Sequence, residues 1–182
     1  AIGQTCSALG WTDRSRVRRI ADLGSGPGVD ACALAAAFPA ATVVAVDSSP
    51  AMLAAAKSRA EAADVVERVE WVARELDDEL AVLGAVDLAW AALSLHHLRD
   101  SSATLMRIAT QLRAGGALCV LERHTPLEVR PADELDRPGL WERVNGAQAG
   151  WYERARASHH AHRDLHQLAA LVAGAGLDIA HT

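Results

Sequence analysis

From residue 19 to about 122, short runs of β-branched or apolar residues alternate with longer stretches whose apolar positions recur at helical spacing. The short runs predict strands at Arg19–Leu23, Thr42–Val46, Val69–Ala73, Val86–Ala91 and Ala117–Glu122. Strand, helix and strand in regular succession is the signature of βαβ units. The predicted fold class is therefore α/β, an open, mostly parallel sheet with helices on both faces.

The helices between the strands carry ordinary start and stop signals. Ser49-Pro50 is an N-cap with proline at the first helical position, opening a helix from Met52 to Ala62. Asp100 or Ser101 caps the next, whose Leu105, Ile108, Ala109 and Leu112 share one face, and Gly115-Gly116 is expected to end it. After Glu122 the pattern changes to HTPLEVRPADELDRPG, a polar loop with three prolines, and then to a helical stretch from about Leu140 to Ser158. A last helix presents Leu165, Leu168, Ala169 and Val172 on one face and runs into Gly174 and Gly176. Leu177–Ala180 then reads as the start of a further strand, so the sheet is expected to lack its C-terminal strands.

This predicts one domain over 1–182: a core at about 15–123, an insertion at about 125–163, and a closing helix with a strand start at 164–182. A length of 182 residues suits one sizeable core better than two. The chain opens without methionine, as a trimmed chain or a partial record would.

Composition narrows the partners. The net charge is −5, and although Arg14, Arg16, Arg18 and Arg19 cluster, no basic stripe with interleaved aromatics follows. Nucleic acid is therefore not an expected partner. Cys6, Cys32 and Cys119 are odd in number and widely spaced, a pattern of reduced thiols in a cytoplasmic protein. No apolar run reaches the length of a membrane helix and no signal-peptide layout is present, so no membrane partner is expected.

The chemistry concentrates in ADLGSGPGVD, residues 21–30. Gly24, Gly26 and Gly28 fall between a strand and a helix, where the backbone can turn sharply and a ligand can approach without meeting a Cβ atom. A dinucleotide fingerprint would place Gly or Ala at position 29, where Val29 stands, and no lysine precedes Lys57 to complete a phosphate loop. Asp22 would repel a pyrophosphate and attract a cation. Asp47 ends the second strand 19 residues past Gly28, where a carboxylate can accept hydrogen bonds from a ribose. A ribonucleoside bearing an amino group and a cationic sulfur suits these residues, which describes S-adenosylmethionine.

Several motifs in order then resemble the class I (Rossmann-like) S-adenosylmethionine-dependent methyltransferases. ADLGSGPG is similar to the family's first motif, VVAVDSSPAML to its second-strand acidic motif, VDLAWAALSLHHL to its fourth-strand segment, and LRAGGALCVLE to its LxPGG turn and fifth strand. The resemblance implies a Rossmann-like fold, methyl transfer to a small-molecule acceptor, and release of S-adenosylhomocysteine. By position it implies that Gly24, Ser25 and Gly26 line the methionine portion, with Gly28 completing the turn and Asp22 near the amino group. Asp47 would take the ribose, and Ser48 with Met52 would flank the adenine. Where the family has Gly-Asp, Arg74-Glu75 stands, so Glu75, with Leu76 beside it, is the substitute near the adenine amino group. Ala91 would offer a backbone carbonyl. Plainer roles stand beside these: Asp47 as a helix-cap partner, Glu75 as a solvated acid, Met52 as core packing.

Methyl transfer from a sulfonium is an in-line displacement, helped chiefly by positioning and exclusion of water, so a catalytic residue is optional. For a hydroxyl or acidic-carbon acceptor a general base helps, and His97 and His124 are the candidates, with His96 on the substrate side. HHAHRDLH carries His162 and His166 at i, i+4, but no Cys or carboxylate cluster completes a metal site there and a solvated helix end accounts for it. No metal is expected. Trp141, Gln148 and Tyr152 would share a helix face, which makes Trp141 and Tyr152 candidates for the acceptor pocket, with core packing or a homodimer contact as the alternative. A binding scaffold or regulatory protein that has lost turnover is the competing function.

Overall fold

The structure is a computed structural model that describes residues 2–122, 139, 142–150 and 165–180. Five strands, β1 (Arg19–Leu23), β2 (Thr42–Asp47), β3 (Val69–Ala73), β4 (Val86–Ala92) and β5 (Leu112–Leu121), form one sheet in the order β3-β2-β1-β4-β5. Every neighbouring pair is parallel. The helices are α1 (Ile2–Ala8), α2 (Val29–Ala37), α3 (Pro50–Ala62), α4 (Ser101–Gln111), α5 (142–150) and α6 (Leu165–Gly174).

Strand residues alternate between two cores, as a period of two requires. Ile20, Val43, Ala45 and Trp90 pack on one face with Leu34, Ala35 and Phe38 from α2 and its end, and with Ala60 of α3. Ala21, Leu23, Val44, Val46 and Ala89 pack on the other with Leu105 and Ile108 of α4, against which Leu168, Leu171 and Val172 of α6 also rest. Because both faces are covered, β1 and β2 read as nearly continuous apolar runs rather than alternating ones. The predicted α/β class is the observed one.

The chain runs outward from β1 through β2 to β3, then crosses back to place β4 on the other side of β1. This reversal opens a crevice at the carboxyl ends of β1 and β4, the place where open α/β sheets receive ligands.

Two expectations need correcting. α4 stops at Gln111, not at the double glycine: Leu112 is already extended (ψ 134°) and pairs with Val86. The next paired residues are Leu88 and Ala117, so Arg113–Gly116 form an irregularity inside β5. A Cβ on Gly116 would lie 2.9 Å from the Arg113 carbonyl oxygen and 3.1 Å from that of Asp87, which is why the strand needs a glycine there. Residues 177–180, expected to begin a strand, are irregular. A strand exists only by pairing, and these residues pair with none of the five described strands.

Candidate functional site

The turn after β1 is built by backbone constraints. The Gly24 and Ser25 amides both donate to the Val46 carbonyl at 2.9 Å, which ties the turn to the end of β2. Gly24, Gly26 and Gly28 all have positive φ, at 75°, 49° and 77°. Their surroundings differ. A Cβ on Gly24 would sit 2.5 Å from Ser94 Cβ, and one on Gly28 would sit 2.6 Å from Ala56 Cβ, whereas Gly26 faces open space. Gly28 thus lets α2 and α3 touch, a packing role not visible in the motif, and Gly26 is the glycine with room for a ligand.

Asp22 lies beneath this turn, 2% exposed. It accepts one backbone hydrogen bond from Ala31, and its Oδ2 has no partner. Burial, reinforced by the charges of Asp30 and Asp47, pushes its carboxyl up to about 8. Ser25 Oγ and Ser94 Oγ are likewise buried without partners. Three orphaned polar groups around one glycine turn are unusual, because buried polar atoms are nearly always paired. A ligand with an ammonium group would give Asp22 a donor and a counter-charge, and the hydroxyls a partner, so the donor set fits the methionine end of S-adenosylmethionine.

Asp47, at the end of β2, is half-buried. Its Oδ2 accepts from the Gly26 amide at 2.8 Å and its Oδ1 from the Ser49 amide at 2.9 Å. The carboxylate therefore braces the turn, and with about four lone-pair sites in all it keeps capacity for hydroxyl donors. Ser49 caps α3, its Oγ accepting from the Met52 amide at 3.3 Å. Ser48 and Met52 are both exposed on this rim, so Met52 is not a core residue.

Glu75 is exposed after β3, while Leu76 is buried and would lie 3.8 Å from a Cβ on Gly24. The carboxylate of this stretch with most partners is Asp77, bound by the Arg99 and Asp100 amides and by Thr104 Oγ1 at 3.0, 3.3 and 3.1 Å. Burial opposes its charge, but these bonds hold its carboxyl below the usual range and fasten the β3–β4 loop to the start of α4.

Ala91 is fully buried in β4 opposite Val120. Beyond it Leu93 takes a φ of 54°, rare for a side chain larger than glycine, and the chain enters the short turn Leu95–His97. There His96 Nδ1 lies 2.9 Å from Glu122 Oε2, and the His96 and His97 ring centroids are 4.0 Å apart. Glu122 escaped the sequence reasoning. The signal was an acid just past the end of β5, beside the histidines that follow the neighbouring β4.

The structure thus gathers Asp22, the glycine turn, Asp47, Ser94, His96, His97 and Glu122 at the carboxyl ends of the strands. His124, Trp141, Tyr152 and His162 lie outside the described residues, as does the side chain of His166. Among the described residues no group of three or more His, Cys, Asp or Glu is placed to hold a metal. Nor is any helix long and apolar enough to cross a membrane. A cavity of about 370 Å³ lies at the opposite end of the sheet, lined by Trp11, Asp13, Arg16, Asp87 and the Gly115-Gly116 irregularity.

Comparison with known proteins agrees with this fold. A family model described as a methyltransferase domain matches residues 20–116. The trans-aconitate 2-methyltransferase of Azoarcus sp. (strain BH72) is 33% identical over 158 residues, covering 81% of this chain and 59% of that protein. The enzyme of the same name from Escherichia coli (strain SE11) is 35% identical over 126 residues, covering 69% of this chain and 46% of that protein. The chain therefore spans about half the length of the curated relatives it matches. Among solved structures, the O-methyltransferase NcsB1 from neocarzinostatin biosynthesis, in complex with S-adenosylmethionine and 2-hydroxy-5-methyl naphthoic acid, superposes with a TM-score of 0.63. It has 23% identity and covers 94% of this chain and 46% of that one. The [4+2]-cyclase SpnF gives a TM-score of 0.57 at 23% identity, covering 66% of this chain and 43% of that one. The parallel sheet, the glycine turn and the match over most of the core together mean that this chain belongs to the methyltransferase-domain family, in its class I, Rossmann-like form.

Proposed function

We propose that this chain carries the donor site of an S-adenosylmethionine-dependent methyltransferase acting on a small molecule. The observation that supports this most is the group of unpartnered buried atoms, Asp22 Oδ2, Ser25 Oγ and Ser94 Oγ, around a glycine turn that ends a central strand. When bound, S-adenosylmethionine supplies an activated methyl group on a positively charged sulfur. The residues bind and orient. Asp22 ionises against the ligand's ammonium group, and Ser25 and Ser94 complete its hydrogen bonds. Asp47 accepts from the ribose hydroxyls while still bracing Gly26, Ser48 and Met52 flank the base with Glu75 at its amino edge and Leu76 beneath, and Ala91 offers its carbonyl.

Three free cysteines among the described residues, two of them buried, suit a reducing cytoplasm. The relatives' name makes trans-aconitate one acceptor to try, and phenols, amines, quinones and fatty acids complete a panel. Calorimetry with S-adenosylmethionine, S-adenosylhomocysteine and NAD tests the site. Binding of the first two and not the third is expected; binding of neither sulfur ligand sinks the proposal. The likeness to a cyclase keeps a second function in view, binding without methyl transfer, because the same fold serves other chemistry. Release of S-adenosylhomocysteine with any acceptor excludes it.

A further inference from the structure

Methyl transfer to a protonated acceptor needs a proton acceptor, and the rim of the sheet holds two residues shaped for that task. β4 and β5 end level with each other, Ala92 opposite Leu121. The Leu93 amide donates to the Leu121 carbonyl at 2.7 Å, and the left-handed conformation at Leu93 turns the chain back over the end of β5. Glu122 then meets the turn. Its Oε1 accepts from the Leu95 amide at 2.9 Å, its Oε2 lies 2.9 Å from His96 Nδ1, and the His96 amide also donates to it. Partial burial works against the charge, yet these hydrogen bonds and the imidazole hold its carboxyl below the usual range.

An ionised carboxylate only accepts, so in the neutral imidazole the proton sits on Nδ1 and Nε2, across the ring, presents a lone pair. The His96 side chain is 39% exposed, so the ring is not sealed away from an acceptor. The same segment touches the donor cradle, since Ser94, two residues before His96, packs directly on Gly24.

The geometry points to His96 as the general base of the reaction, with Glu122 as the positioning residue that sets its tautomer, and so to an acceptor whose reacting atom bears a proton, a phenolic or enolic hydroxyl or an acidic carbon. This rests on the methyl-donor site proposed above. His96 Nε2 takes the proton from the acceptor's O–H or C–H bond, and the electron pair left behind forms the new bond to the methyl carbon. The carbon–sulfur pair stays on sulfur, which departs as a neutral thioether, and His96 later returns the proton to solvent. An acceptor that is already a carboxylate has no proton to give at neutral pH and gains nothing from such a base.

The test uses the full chain with ¹⁵N-labelled histidine, at a pH where the imidazoles are neutral. His96 is expected as a single Nδ1–H tautomer; in Glu122→Gln, whose amide donates as well as accepts, that single tautomer is lost while S-adenosylhomocysteine binding is unchanged. With a panel phenol that turns over, His96→Gln lowers kcat by about 10²–10⁴-fold and leaves KM nearly unchanged, while His97→Gln has a much smaller effect. A wild-type Nε2–H tautomer, or a His96→Gln variant at wild-type rate, overturns the assignment. If no phenol turns over, the tautomer alone decides. Failure of the wild type to bind S-adenosylhomocysteine strikes the donor site instead, a result separable from the tautomer.

Discussion

The two ends of the sheet treat their aspartates in opposite ways. At the amino end, Asp87 accepts from the Arg18 and Arg19 amides at 2.7 and 2.9 Å and from Arg113 at 2.9 and 3.0 Å. Burial opposes its charge, but those bonds hold its carboxyl below the usual range. At the carboxyl end, Asp22 is more deeply buried, one of its oxygens has no partner, and its carboxyl is pushed up to about 8. Both stand in central, adjacent strands. The difference is one of partners rather than of residue type: Asp87 is satisfied within the fold, whereas Asp22 keeps one oxygen open, as the proposed donor site requires.

The largest expected effect tests whether the glycines divide in the same way. Gly28→Ala places a Cβ 2.6 Å from Ala56 Cβ at a positive φ, and should cost about 2–5 kcal/mol in urea unfolding, the sum of left-handed strain and overpacking. A cost near zero would mean that Gly28 serves the ligand and not the packing of α2 on α3.

Next comes Asp22→Asn. A carboxyl raised from 3.8 to about 8 contributes stability that is fully present below pH 4 and lost as the pH rises through 8, because the folded state holds a proton that the unfolded chain releases. The ligand-free wild type should therefore weaken over that window. The variant should lack this slope and be about 2–4 kcal/mol more stable than wild type above pH 8, yet bind S-adenosylmethionine at least ~10-fold more weakly. Unchanged binding by the variant would break the contrast at its centre.

Asp87→Asn should do the reverse: lose about 1–3 kcal/mol and leave S-adenosylhomocysteine affinity untouched. Its lowered carboxyl makes the wild-type contribution present above the unfolded value and lost as the pH falls through the folded one, so the variant's deficit should shrink in acid. The smallest effect belongs to Glu70→Gln, which removes the Arg19 pair at 2.7 Å. The glutamate side chain is half exposed and solvent screens the charge, so thermal unfolding should show less than about 1 kcal/mol.

Much of the fold was legible in the chain. β1 and β3 span the residues that the apolar runs marked, and α3 begins at its Ser49-Pro50 signal. These features arise from neighbours in sequence. The failures arose where a distant partner decides the outcome: LRAGG became part of β5 because Val86 pairs with Leu112, and residues 177–180 stayed irregular because they pair with no strand. Within the site, Asp22 and Asp47 stood out by their distance from the glycines. Ser94 and Glu122 did not, because neither belongs to a local pattern.

The sequence by itself determined the alternation of strands and helices, the acid before the glycine turn and the acid after the second strand, since periodicity and capping act within a few residues of chain. Only the tertiary structure decided which polar atoms go unpaired and which pairs form. That depends on β4 crossing to the far side of β1, which sets Ser94 against Gly24, and on β5 lying beside β4, which brings Glu122 to His96 across 26 positions of chain.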